Sequence, residues 1–218
     1  MHDSRKFKLQ QGTGTSSEPK HLFKHISKIS RADRERLNNS KAFTIWLTGL
    51  SASGKSTIAN EIEVWIYGQQ IRAYVLDGDN TRSGINKDLS FSDADRAENI
   101  RRVAEICRLF NDAGIIAIAA LISPFEKDRQ MARDIIGNND FIEIFINCNL
   151  SECVKRDPKG LYKLALEGQI SNFTGINSPY EPPQSPDLRL QTDVNSIDEC
   201  MLLVKNYLIN KMKFAENV

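Results

Sequence analysis

Phe43-Thr44-Ile45-Trp46-Leu47-Thr48-Gly49-Leu50-Ser51-Ala52-Ser53-Gly54-Lys55-Ser56-Thr57 is the stretch on which the fold turns. Its first six residues read as a buried strand. Residues 49–56 match G-x-x-x-x-G-K-[ST], and behind them Ile58, Ile62, Trp65 and Ile66 recur at helical spacing, with Gly68 as a stop. Strand, glycine-rich loop and helix in that order form a polyphosphate cradle. The glycines let backbone N–H groups turn inward on phosphate oxygens, and the helix N-terminus adds its partial positive charge. Lys55 would reach the β/γ oxygens, and the Ser56 hydroxyl would complete a magnesium shell. An ordinary Gly/Ser-rich turn is the alternative, and the flanking strand and helix argue against it.

Outward from this unit, apolar strands alternate with helical patterns. Strands are expected over 71–76, 115–121, 141–147 and near 188–192, and helices over 56–67, 93–113, 125–136, 150–156 and 196–212. Such alternation implies βαβ units, hence an α/β, three-layer P-loop NTPase-like fold with a central parallel sheet and helices on both faces. The 115–121 run is apolar throughout, which suits a central strand covered on both sides. Ahead of the first strand, 30–37 reads as a short capped helix stopped by Asn38-Asn39. Residues 1–27 are expected as a flexible arm, 28–213 as one kinase-like domain and 214–218 as a tail. Residues 168–187 lack periodicity and hold much of the chain's proline, so a lid is expected over about 156–186.

Twenty-nine basic against 28 acidic residues leave a formal charge of +1 over 218 residues, so no bulk electrostatic case exists for nucleic-acid or membrane-surface binding. The cysteines at 107, 148, 153 and 200 have no C-x-x-C spacing, and the histidines (His2, His21, His25) lie far from them. Neither a zinc site nor a disulfide framework is expected, and Cys107 and Cys148 read as small buried hydrophobes. With no run approaching the roughly eighteen apolar residues of a membrane span and no signal-peptide core, a cytoplasmic setting is expected.

In open parallel sheets, ligands bind beyond the carboxyl ends of the strands. Strand 71–76 delivers Asp77-Gly78-Asp79-Asn80, two carboxylates able to serve a magnesium ion and a substrate hydroxyl, or else a plain Asp-Gly turn. Downstream, Arg82, Phe91, Arg96 and Asn99 offer forked donors for an anion and a ring for a base, while Ser92-x-x-Asp95 also reads as a capping box. Ile122-Ser123-Pro124-Phe125-Glu126 supplies either a phosphate-contacting or nucleophilic serine or a helix start, with Ser123 as N-cap and Pro124 at the first helical position.

Together, residues 49–57, 76–82, 91–103, 122–124, Arg156-Asp157-Pro158-Lys159-Gly160-Leu161-Tyr162-Lys163 and Asn172-Phe173-Thr174-Gly175-Ile176 resemble the adenylyl-sulfate kinase (APS kinase) family, over about residues 28–208. The resemblance implies transfer of the ATP γ-phosphoryl group to the 3′-hydroxyl of adenosine 5′-phosphosulfate, with Mg2+, in a homodimer. It places Gly49, Leu50, Ser51, Ala52, Ser53, Gly54, Lys55, Ser56, Thr57 and Arg156 on ATP, and Ser56 and Asp77 on the metal. Asp79 would approach the 3′-hydroxyl; Arg82, Arg96 and Asn99 would hold the phosphosulfate and ribose; Phe91 and Phe173 would sandwich the adenine. Ile122, Ser123, Lys159 and Thr174 complete the substrate set; Ser123 corresponds to a phosphoserine intermediate in that family, while direct in-line transfer is also compatible with the sequence. Lys55, Asp79 and Ser123 are thus the expected catalytic residues. Departures are modest: Ala52-Ser53 within the loop, Leu121 before Ile-Ser-Pro, Glu126 where a basic residue is frequent, and no Trp-His element in the N-terminal segment. Rival classes are a nucleotide switch, for which the Asn-Lys-x-Asp signature is lacking, a kinase for another small hydroxyl acceptor, and a non-catalytic binding paralogue.

Overall fold

The computed structural model describes residues 27–212. Its first helix, α1 (Arg31–Asn38), opens as the sequence suggests: Ser30 accepts from the Asp33 N–H, the Asp33 carboxylate returns the bond, and left-handed Asn39 ends the helix. The expected arm, apart from residue 27, lies outside the described residues, as do the histidines and the tail.

Five strands follow, β1 (Thr44–Thr48), β2 (Ala73–Asp77), β3 (Ile116–Ala120), β4 (Phe141–Asn147) and β5 (Leu188–Gln191). They form one sheet in the order β2-β3-β1-β4-β5, and every pairing is parallel. Because the connections are crossovers, helices cover both faces, α2 (Lys55–Gly68) and α8 (Ile197–Met212) on one and α4 (Asp93–Asp112) and α5 (Glu126–Ile136) on the other, while α6 (Leu150–Arg156) follows the end of β4. Alternation along β1 divides the core. Ile45 and Leu47 pack with Ile58, Ile62 and Ile66 of α2 and Val204 and Leu208 of α8. Trp46 points the other way, into Ile100, Val103 and Cys107 of α4 and Ala132 of α5. Its register partner on β3 is Ala119, so the largest side chain of the core lies beside one of the smallest. The expected three-layer parallel fold is what forms. β1 holds the centre, with β3 beside it buried along its whole length. All four cysteines are buried and free.

Two short helices were not legible in the pattern. Asp77 does not end a simple turn; it caps α3 (Gly78–Ser83), whose sequence Gly-Asp-Asn-Thr-Arg-Ser has no apolar periodicity. Ahead of the aperiodic 168–187 stretch, α7 (Leu161–Leu166) carries Tyr162 into the interior.

Gly114, just after α4, is held at φ +77°, and a Cβ there would lie 2.7 Å from the Arg34 carbonyl carbon. Asn38 Nδ2 bonds the Gly114 carbonyl at 2.8 Å, so this close approach docks α1 on the sheet. Gly114→Ala is therefore expected to cost about 1–3 kcal/mol. Denaturant titration should show the lower midpoint, and an unchanged one would mean that α1 docks without this contact.

Candidate active site

The loop leaving β1 is pinned close to β4: a Cβ on Gly49 would sit 2.5 Å from the Ile146 carbonyl oxygen and 2.9 Å from Ser53 Oγ. Ala52 and Gly54 both adopt left-handed conformations, and Gly54 begins α2 with no side chain capping it. Its first-turn N–H groups are thus left to an anion. Lys55 is buried, with Nζ donating to the Leu50 carbonyl at 2.6 Å. Burial lowers its ammonium pKa to about 8, against the opposing pull of Cys153, Asp77 and Asp79. Ser56 Oγ donates to Asp77 Oδ2 at 2.7 Å, and Asp77 Oδ1 accepts from the Asp79 N–H at 2.9 Å. A hydroxyl and a carboxylate converge there, the hard oxygen donors that magnesium prefers. Thr57 is exposed on the next turn, Ser51 offers its carbonyl to Tyr162 Oη at 3.0 Å, and Ser53 its carbonyl to Thr192 Oγ1 at 2.7 Å.

Asp79 lies in the first turn of α3, and its carboxylate is ion-paired with Lys159 from the lid. Arg82 stacks 4.4 Å from the centroid of the exposed Phe91 ring and donates to the Ser90 carbonyl at 2.9 Å. Arg96 is buried and spends its donors on the Phe91 carbonyl at 3.1 Å, on Thr174 Oγ1 at 2.6 Å and on the Asn172 carbonyl. Burial pushes both guanidinium pKa values down, Arg82 further through its neighbour Arg96. Asn99 Oδ1 accepts from Asn86 Nδ2 at 2.9 Å. The expected aromatic pair is not in mutual contact: Phe91 lies under Arg82, whereas Phe173 packs edge-on against Tyr162 at 5.0 Å. The capping box at α4 is half formed. Ser92 accepts from the Asp95 N–H, but the Asp95 carboxylate turns to Ser90 instead.

Ser123 does not cap α5. It sits at φ +39°, almost fully buried, with Oγ accepting from the Trp46 indole N–H at 3.2 Å. Phe125 is still extended, α5 begins at Glu126, and the Glu126 N–H is satisfied at 2.7 Å by the carboxylate of Glu181. The buried indole donor needs an acceptor, and that need turns the serine hydroxyl inward, away from the helix end. Ile122 presents its carbonyl to Thr48 Oγ1 at 2.7 Å. Arg156 reaches the Thr192 carbonyl at 2.6 Å and Glu152 Oε1 at 3.2 Å, on the β5 side of the loop. The structure thus gathers Lys55, Ser56, Asp77, Asp79 and Lys159 at one sheet edge, with Arg82, Phe91, Arg96 and Thr174 beside them. Sequence reasoning missed the placing roles of Trp46, Tyr162, Glu181 and Thr192. Tyr162, within the Leu161-Tyr162-Lys163 run, had a visible signal; the others had none.

Residues 41–191 match the family described as adenylylsulphate kinase. Adenylyl-sulfate kinase of Pseudomonas entomophila is 49% identical over 192 residues, covering 88% of this chain and 92% of that protein. Adenylyl-sulfate kinase of Marinobacter nauticus is 50% identical over 193 residues, covering 88% and 97%. Among solved structures, the Mycobacterium tuberculosis APS kinase CysC in complex with AMPPNP and APS is 47% identical, with a TM-score of 0.75, over 78% of this chain and 98% of that one. A hexameric APS kinase from Thiobacillus denitrificans is 26% identical with a TM-score of 0.61, over 83% of this chain and 32% of that one.

The depressed Lys55 pKa has a definite sign. Below about 8 the buried ammonium is charged and carries its full desolvation cost; from there toward 10.5 the folded state sheds the proton before the unfolded chain does, so the cost falls as pH rises. A bound triphosphate restores the charge. At about pH 9, ATP binding should take up a proton, seen as binding heats that differ between buffers of unequal ionisation enthalpy. Equal heats would mean that Lys55 is not depressed.

Proposed function

The chain belongs to the adenylylsulphate kinase family, and from that membership we propose how its residues transfer the γ-phosphoryl group of ATP to the 3′-hydroxyl of adenosine 5′-phosphosulfate, giving 3′-phosphoadenosine 5′-phosphosulfate. The observation that carries the assignment of roles is the contact chain from Ser56 to Asp77 to Asp79, which joins the phosphate loop to a carboxylate at the end of the neighbouring β2 unit.

Residues 49–57 and the start of α2 bind the triphosphate through backbone N–H groups, with Lys55 directed to the β/γ oxygens and Arg156 on the β5 side. Ser56 and Asp77 would hold Mg2+, which when bound neutralises phosphate charge. Asp79 accepts the 3′-hydroxyl proton as that oxygen bonds to the γ-phosphorus. The bond from the γ-phosphorus to the β–γ bridging oxygen breaks, and ADP leaves with the electron pair. Positioning and charge neutralisation dominate such a transfer, so no covalent enzyme intermediate is required. Ser123 is assigned here to the framework, because its Oγ accepts the Trp46 indole N–H and the residue is almost fully buried. Arg82, Arg96 and Asn99 hold the phosphosulfate and ribose, with Ile122 and Thr174 lining the same side. Phe91 and Phe173 come to the adenine from separate resting contacts. Lys159 pairs with Asp79 until the acceptor replaces it. A homodimer and a cytoplasmic setting belong to the same proposal; among the described residues no helix is long and apolar enough to cross a membrane.

The first test is magnesium-dependent ADP release with and without adenosine 5′-phosphosulfate, beside AMP and adenosine controls, with the product identified by chromatography. A 3′-phosphorylated product formed only from the phosphosulfate is expected; turnover of another acceptor would overturn the substrate. Asp79→Asn should leave ATP affinity within about twofold while lowering kcat by about 10²–10⁴. Ser123→Ala should keep turnover while losing about 0.5–1.5 kcal/mol of stability with the Trp46 bond. The reverse pattern, lost turnover at unchanged melting temperature, would return the serine to a phosphate-carrying role.

A further inference from the structure

The turn after β3 is held in place by donors from elsewhere in the chain. Three successive carbonyls face the protein: Ile122 accepts from Thr48 Oγ1 at 2.7 Å, Ser123 from Arg129 Nη1 at 2.9 Å and Pro124 from the Glu181 N–H at 2.8 Å. The single Thr48 hydroxyl proton is spent on Ile122, so Tyr180 Oη, 3.0 Å away, must donate to Thr48 rather than accept. The donors come from β1, α5 and the far end of the lid, and the turn they hold contains Ser123 at φ +39°. A non-glycine residue keeps such a conformation only where its surroundings over-determine it.

Arg129 is the one charged donor of this set, and it is almost fully buried. Its Nε lies 2.9 Å from Glu143 Oε1 on β4, itself buried, and Arg133 and Asp187 complete the cluster at 3.6 Å. The pair is remote from the phosphate loop in sequence, and nothing assigned above uses it. Thr48 fixes the first peptide of the turn and Arg129 the second. The peptide between Ile122 and Ser123 is trans, so the Ser123 N–H points opposite to the Ile122 carbonyl and hence away from Thr48. Among the described residues that N–H has no acceptor. The turn also adjoins the Asp79 helix, since a Cβ on Gly78 would lie 3.2 Å from Leu121 Cδ2.

We propose that Arg129, beside Glu143, is a positioning residue for the acceptor: by holding the Ser123 carbonyl it keeps Ser123 at φ +39°, and together with Thr48 on the Ile122 carbonyl this presents the Ser123 amide to the acceptor on the Asp79 side. This rests on adenosine 5′-phosphosulfate being that acceptor. Arg129 touches no substrate and acts through the turn, so its removal affects the acceptor and leaves the phosphate loop intact.

The test is steady-state kinetics of the full chain, varying each substrate in turn, with thermal melting measured alongside. Arg129→Met combined with Glu143→Gln removes both buried charges together and avoids stranding a carboxylate. KM for adenosine 5′-phosphosulfate should rise about tenfold or more while KM for ATP stays within about twofold. Arg129→Lys, with one ammonium to serve both partners, should fall between wild type and the double variant. A lower melting temperature with both KM values unchanged, or an equal rise in both, would overturn the proposal by reducing the pair to a structural role. A wild-type chain that does not turn over adenosine 5′-phosphosulfate would instead overturn the acceptor assignment, a failure this experiment separates because the wild type is measured beside the variants.

Discussion

Parallel pairing of β1 between β3 and β4 is the constraint on which the rest depends. Parallel strands all end at the same edge, so residues distant in sequence are delivered to one place without any loop having to search for another. β1 brings the phosphate loop, β2 the Asp77–Asp79 turn and β3 the Ser123 turn, while β5 leads into Thr192, which ties the loop down through Ser53. Burial of β1 on both faces makes this arrangement stiff, because a slip in register would drive Trp46 out of its place beside Ala119.

Around that edge stand two buried cations, Lys55 and Arg96, and the half-buried Arg82. Lys55, Arg82 and Arg96 all have pKa values lowered first by desolvation. Each therefore stands in an environment that penalises its charge until an anion arrives, and phosphate or phosphosulfate oxygens are the groups that relieve the penalty. Arg129 differs, having Glu143 within 2.9 Å. Lys55 and Arg96 rest on neutral protein oxygens, whereas Arg129 has a carboxylate beside it, so the two kinds of buried cation are distinguishable by geometry.

Wherever a periodic run of apolar residues spoke for itself, the fold was legible from the sequence: β1 with its loop and α2, the fully buried β3, and the capped start of α1. α3 and α7 were not, because six residues of α-helix make too little pattern to register and are held by tertiary contacts. The Ser123-Pro124-Phe125-Glu126 run carried a genuine helix-start signature and still did not form one. The deciding partners, Trp46 and Glu181, are 77 and 55 residues away from the groups they satisfy, beyond any local rule. The phosphate-binding motif was readable because its chemistry is local to eight residues; the expected acceptor set is drawn from five segments, and single residues such as Phe91 or Phe173 carried weight only as members of an ordered set of motifs.

The segment expected as a lid is fastened differently at its two ends. At its N-terminal end the link to the site is the Lys159–Asp79 ion pair, whose side chains are 57% and 69% exposed. Water competes there, so releasing the pair costs little. At the C-terminal end Tyr180 is packed on Phe145 and bonded to Thr48, while Glu181 both donates to Pro124 and caps α5. Those bonds are made to the turn that Arg129 holds. Between the two ends, Tyr162 bonds the Ser51 carbonyl and Arg96 bonds Thr174, tying the segment to both the phosphate loop and α4. The Lys159–Asp79 link is therefore weakly held and the Tyr180–Glu181 foot firmly held, so under the proposed acceptor role Asp79 can be freed without disturbing the turn that presents the Ser123 amide.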